Sequence, residues 1–113
     1  MTKTELEYYS GLKFLIKALE ACRQDYRSFI TDPERLEELD RIILNQIRKR
    51  TEQQETVLKW LQSVEDPEIR QIIHYRYDLH LKWFDVNLKV YGGYTCEDYS
   101  RIRLERYLRN SAL

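Results

Sequence analysis

Leu12, Leu15, Leu19, Cys22, Tyr26 and Phe29 recur at alternating spacings of three and four, with Glu, Lys, Arg and Gln filling the other faces. That period keeps one stripe of an α-helix apolar and fits either a short coiled-coil seam or one helix of an antiparallel pair. Thr2 and Glu5 stand in capping-box spacing and open this helix. It ends near Ile30, because Asp32-Pro33-Glu34 is a start signal: a capping carboxylate, a proline whose missing N–H is not needed in the first turn, and an acid at the positive helix end. A second helix is predicted from Pro33 to about Val64, with apolar positions Leu36, Leu39, Ile43, Ile47, Val57, Leu58, Leu61 and Val64 and a polar gap from Arg48 to Thr56. At about 1.5 Å per residue it is a rod of roughly 45 Å, whose seam must pair with the first helix or with another chain.

Asp66-Pro67-Glu68 repeats the start signal and opens a third helix to about Leu79, with Ile69, Ile72, Ile73 and Tyr77 on its apolar face. His80-Leu81-Lys82 turns into a fourth, Trp83 to Tyr91, where the spacing of Trp83, Val86 and Val90 predicts that the indole is buried between the third and fifth helices. Gly92-Gly93 supplies the positive φ that stops it. Thr95 or Cys96 opens the fifth, Thr95 and Asp98 again having capping-box spacing. The pattern predicts an all-α protein: an N-terminal helical hairpin or coiled coil over residues 1–65, then a three-helix domain over residues 66–113.

Composition agrees, since only 3 Gly and 2 Pro interrupt the chain. Lys+Arg and Asp+Glu balance at 19 each, unlike a strongly basic nucleic-acid binder. The distribution is uneven: residues 1–66 hold 11 basic and 13 acidic side chains, residues 67–113 hold 8 and 6. No apolar run has the length of a membrane span or a signal segment, so a cytoplasmic protein without membrane contact is expected. Cys22 and Cys96 have no paired spacing and read as free thiols.

The fifth helix carries the candidate chemistry. On a wheel of about 100° per residue, Cys96, Ser100, Leu104, Tyr107 and Leu108 fall on one side. Arg103, Arg106 and Arg109 fall on the other with Tyr99 and Ile102, and Arg101 sits at the edge of the core. Guanidinium groups bind guanine or phosphate in two-pronged fashion, which makes the arginines candidates for DNA contact; a solvated surface face is the alternative. Tyr99 and Ser100 add hydroxyls for phosphates or base edges, and Tyr94 and Thr95 stand in the turn before the helix, within reach of a phosphate.

The succession Arg70, Ile72-Ile73, Arg76-Tyr77, Trp83, Val86, Gly92-Gly93, Glu97-Asp98 and Arg106-Tyr107-Leu108 resembles the sigma-70 region 4-like helix-turn-helix, as carried by small phage and prophage transcription regulators behind a helical N-terminal segment. The likeness covers about residues 60–110. It implies a DNA-binding transcriptional regulator whose fifth helix lies in the major groove of double-stranded DNA, with Arg101, Arg103 and Arg106 in reading positions and Trp83 anchoring the preceding helix. His80 stands where that family places a turn glycine, and Asn87 where it places a small alanine, so Asn87 requires a hydrogen-bond partner in the crevice. Two alternatives remain: a helical protein-interaction module, for example a phage factor that binds host RNA polymerase, or a DNA-packaging subunit resembling the small terminase. The N-terminal helices either pair within one chain or make a homodimer, which would present two reading helices to successive half-sites.

Catalysis and cofactors are not expected. His74 and His80 fall on different helix faces without a Cys or carboxylate at metal-ligand offset, and no Gly-rich phosphate loop or nucleophile motif occurs. Glu37, Glu38 and Asp40 read as solubilising charges, and most of the 9 tyrosines as packing residues.

Overall fold

The computed structural model describes residues 1–93 and 98–111, and among them every regular element is helical. The elements are α1 (Lys3–Phe29), α2 (Pro33–Ser63), α3 (Pro67–Ile73) continued by a π turn (His74–Asp78), α4 (Trp83–Tyr91) and α5 (Tyr99–Ser111). No helix among the described residues is long and apolar enough to cross a membrane. The capping devices expected of α1 and α3 form, and Thr95, of the Thr95–Asp98 box expected of α5, lies outside the described residues. The Thr2 hydroxyl accepts from Glu5 N–H at 3.1 Å, and Asp66 accepts from the N–H groups of Glu68 and Ile69 at 3.0 and 3.3 Å.

Chain contacts divide the molecule into two compact units, Met1–Ser10 with Val57–Leu113 and Gly11–Thr56. The boundary read from sequence at 65/66 is a helix boundary; the units part within α1 and α2, because both helices contribute buried residues to the first unit. Leu6, Tyr9, Val57 and Val64 are buried there along with Ile69, Ile72, Ile73, Tyr77, Val86, Leu104 and Leu108. The unit therefore holds more than the three helices expected of residues 66–113.

In the first unit α3 does not run on as a plain α-helix to Leu79. Its last turn widens, with Leu79 N–H donating to the His74 carbonyl at 3.0 Å across five residues. The widened turn buries Tyr77 and leaves Asp78 as a junction, accepting from the Tyr9 hydroxyl at 2.9 Å and facing His74 Nδ1 at 3.2 Å. Burial, then the Asp78 carboxylate, pushes the Tyr9 phenol up to about 12. His80 turns the chain with φ of 57°, the left-handed region expected of it, and Leu81 N–H closes the turn on the Tyr75 carbonyl at 3.0 Å.

The second unit holds Gly11–Phe29 of α1 and Pro33–Thr56 of α2, joined through Ile30–Asp32. Near that connection Asp40 of α2 accepts from Arg23 and Arg27 at 3.1 and 2.7 Å and from the Tyr26 hydroxyl at 2.8 Å. These donors, Arg27 foremost, hold the Asp40 carboxyl well below its ordinary range. Leu19, Leu36, Leu39, Ile43 and Ile47, the residues of the expected seam, are only half-buried.

Candidate nucleic-acid interface

Gly92 ends α4 in the left-handed conformation at φ of 72°, its N–H bonded to the Leu88 carbonyl at 3.0 Å, and Gly93 follows at φ of 86°. A Cβ at Gly93 would stand 2.8 Å from Leu88 Cδ2, so the turn requires glycine for space as well as for φ. Tyr94 and Thr95, expected near phosphate, and Cys96 lie outside the described residues.

The inner face of α5 is the one expected, with Ser100, Leu104 and Leu108 buried and Tyr107 half-buried. Ser100, however, is 0% exposed and is not a surface contact. Its N–H donates at 3.0 Å to Asn87 Oδ1, and its hydroxyl donates to the same oxygen. The buried amide of Asn87 thus receives the partner its position demands, and α4 is pinned to α5 at this point.

Both flanks of α5 are fixed by ion pairs. Arg103, expected among the free arginines, reaches back to the start of α3, 2.7 Å from Asp66 and 3.1 Å from Glu68. The Arg103 hydrogen bond holds the Asp66 carboxyl below its ordinary range, and Asp66 in turn raises the guanidinium. On the other flank Arg101 lies 3.4 Å from Asp98 and 3.3 Å from Glu105, and Glu105 meets Lys3 of α1 at 3.2 Å. The Lys3 hydrogen bond holds the Glu105 carboxyl below its ordinary range.

Between these flanks an outward strip remains: Tyr99, Ile102, Arg106 and Arg109, all exposed. Arg106 and Arg109 have no hydrogen-bond or ion-pair partner among the described residues. A shallow depression of about 260 Å³ is lined by Tyr99, Ile102, Arg103 and Arg106. Tyr99 stacks edge-on against Tyr91 of α4 at 4.9 Å. Burial, then the neighbouring Glu68 carboxylate, raises the phenol of Tyr91.

Trp83 is half-buried, not the sealed core residue its spacing predicted. The Arg76 guanidinium carbon covers its ring 4.7 Å from the centroid, and Tyr77 meets it edge-on at 6.5 Å. Arg76 also donates to the Leu81 carbonyl at 2.9 Å, so one side chain ties the turn to the start of α4. Sequence reading missed an apolar strip on α4, where Phe84 is 57% and Leu88 44% exposed. Their spacing of four is the signal that would have found it.

Among the described residues no cluster of His, Cys, Asp and Glu is placed to hold a metal ion. No family model, curated protein or solved structure matches the chain.

Proposed function

We propose that this chain binds duplex DNA as a transcriptional regulator, through a helix-turn-helix of the sigma-70 region 4 type formed by α3, α4 and α5, behind an N-terminal helical hairpin. The observation that carries the reading is the division of labour among the arginines of α5. Arg101 and Arg103 are held by acids at the two edges, while Arg106 and Arg109 point outward on one strip with Tyr99 and Ile102. A helix clamped along both edges with cations on its crest fits a major groove, because guanidinium groups reach base edges and phosphates there without first breaking internal pairs. The contact set is accordingly Tyr99, Arg106 and Arg109, with Tyr94 and Thr95 at the entry of the helix. Arg101 and Arg103 orient it.

The test is fluorescence anisotropy with labelled duplexes tiling the DNA upstream of the protein's own coding region, at low salt. Arg106→Ala and Arg109→Ala are each expected to weaken binding by about 1–3 kcal/mol. Loss of binding in Arg103→Ala is expected to accompany a lowered melting temperature. Wild-type protein that binds none of the duplexes would refute the reading.

A second reading is favoured by the exposed apolar residues Phe84, Leu88, Tyr99 and Ile102 on α4 and α5. Such a strip suits a protein partner, for example RNA polymerase, and a packaging subunit would use the same unit for DNA. Phe84→Ser that abolishes function in cells while duplex affinity stays unchanged would favour the protein partner.

A further inference from the structure

The Gly11–Thr56 unit lacks what a folded helix pair requires. From Lys13 to Thr56 no residue is buried, although the stretch contains Phe14, Leu15, Leu19, Phe29, Leu36, Ile42, Ile43 and Leu44. Helices of this length draw most of their stability from burying an apolar face, and here even the seam residues are only half-covered.

Most of the uncovered apolar residues of α1 fall together. At about 100° per residue Gly11, Leu15, Ala18, Cys22 and Phe29 share one stripe of α1, with Asp25 at its edge. Leu15 is 37% and Phe29 82% exposed, and Gly11, Ala18 and Cys22 are exposed as well. A Cβ built on Gly11 meets nothing within 4 Å, so the stripe opens to free space. In the antiparallel pair expected from the sequence, with Arg23 and Arg27 of α1 both meeting Asp40, Ile42 of α2, 51% exposed, falls on the same side. The Arg27–Asp40 ion pair occupies the other side, with Lys13, Lys17 and Gln24. On the side of the stripe α1 is apolar, with small residues at Gly11, Ala18 and Cys22, and α2 sets Ile42 among Arg35, Glu38, Lys49 and Glu52. The other is charged apart from Leu44, 43% exposed.

We propose that the apolar side is a two-fold interface with a second copy of this chain, the two helix pairs forming a four-helix bundle. Charge patterning on α2 selects that occupant. In an antiparallel pairing of α2 with its own copy, the register that sets Ile42 opposite Asn45 also sets Glu38 opposite Lys49 and Arg35 opposite Glu52. None of these four charges is in an ion pair within the protomer among the described residues, and all four are exposed. A parallel pairing sets Glu38 against Glu38 and Lys49 against Lys49, which repel. The size also suffices. Nineteen residues from Gly11 to Phe29 span about 28 Å, and two helices side by side are about 20 Å wide, so two copies bury roughly 1,100 Å² together, at the threshold of a specific interface. This interface stands independently of the DNA reading.

Sedimentation equilibrium of the full chain at tens of micromolar is expected to give twice the monomer mass of 13.9 kDa. Ala18→Glu, on the apolar side, is expected to weaken association at least tenfold with helical circular dichroism retained. Lys17→Glu, on the charged side, is expected to leave association unchanged. Should Ala18→Glu lose helicity, the charge pair decides: Glu38→Lys weakens association and the double variant with Lys49→Glu restores it. Wild-type protein of monomer mass throughout, as expected if the side awaits a different protein, overturns the interface, and so does a mass above two copies. A folded Ala18→Glu that still dimerises overturns the face, and a double variant that stays weak overturns the antiparallel register.

Discussion

Leu6, Ile69, Ile72 and Val86 are completely buried in the unit made of Met1–Ser10 and Val57–Leu113, whereas Gly11–Thr56 holds no buried residue beyond Leu12. The two regions have the same helical periodicity and differ in how it is used. In the first, α3 meets the π turn, α4 and α5, so its apolar stripe has more than one neighbour. In the second, no residue from Lys13 to Thr56 is buried, and Leu15, Phe29, Ile42 and Leu44 stay exposed. A heptad-like stripe thus states that a helix has something to bury, and the surrounding topology decides whether one chain suffices.

The largest expected effect separates the regions directly. Ile72→Ala is expected to cost about 2–5 kcal/mol, as buried aliphatic truncations do, while Leu44→Ala, at a position 43% exposed, costs less than about 1 kcal/mol. Urea unfolding followed by circular dichroism measures both, and equal costs would erase the distinction. Next comes the polar contact inside the core: Asn87→Ala leaves the Ser100 N–H and hydroxyl without their acceptor and is expected to lower stability by about 1–3 kcal/mol. A neutral outcome in the same assay would show that the pair contributes little beyond filling space.

Asp66→Ala sharpens the comparison at the edge of the core, removing the cap of α3 and the principal partner of Arg103 together. The expected loss is about 1–2 kcal/mol, most of it from the cap because the ion pair is partly solvated. Asp66→Asn keeps a capping oxygen and should recover most of it. The mildest perturbation is acid. Asp40, Asp66 and Glu105 are held below their ordinary values in the folded chain, so their stabilisation is complete above the usual carboxylate range near pH 4 and is lost as the pH falls beneath it. Melting temperature plotted from pH 6 to pH 2 is expected to fall below about pH 4, and Asp40→Asn to flatten only the part contributed by Gly11–Thr56.

Punctuation was the most legible part of the sequence. Pro33, Pro67 and Gly92 mark the ends of their helices, and α4 occupies the span read for it, because proline and positive-φ glycine act locally. The buried face of α5 was legible for the same reason, as Leu104 and Leu108 announce it. What the wheel could not supply is which arginine meets an acid from another element. Arg103 and Arg106 are neighbours in projection, and only the approach of Asp66 and Glu68 assigns one to α3 and leaves the other on the surface. Trp83 was misread for a related cause: its spacing to Val86 and Val90 suggested a sealed core position, but a cation over the ring covers it instead. Asn87 was the reverse case, a polar residue in a tight place whose need for a partner correctly pointed to one.

The π turn at His74–Asp78 gives this fold an unusual tolerance to change in length. Its closing bond encloses one residue more than an α-helical turn does. Removing a residue such as Tyr75 therefore lets the turn relax to ordinary α-helix while α3 and α4 keep their facing sides. Removing one from α3 itself, Arg70 for instance, swings every later side chain of that helix by about 100°, turning Ile72 out of the core and bringing His74 into the place of Ile73. A single-codon deletion scan across residues 68–90 should accordingly show a window of survival confined to this turn.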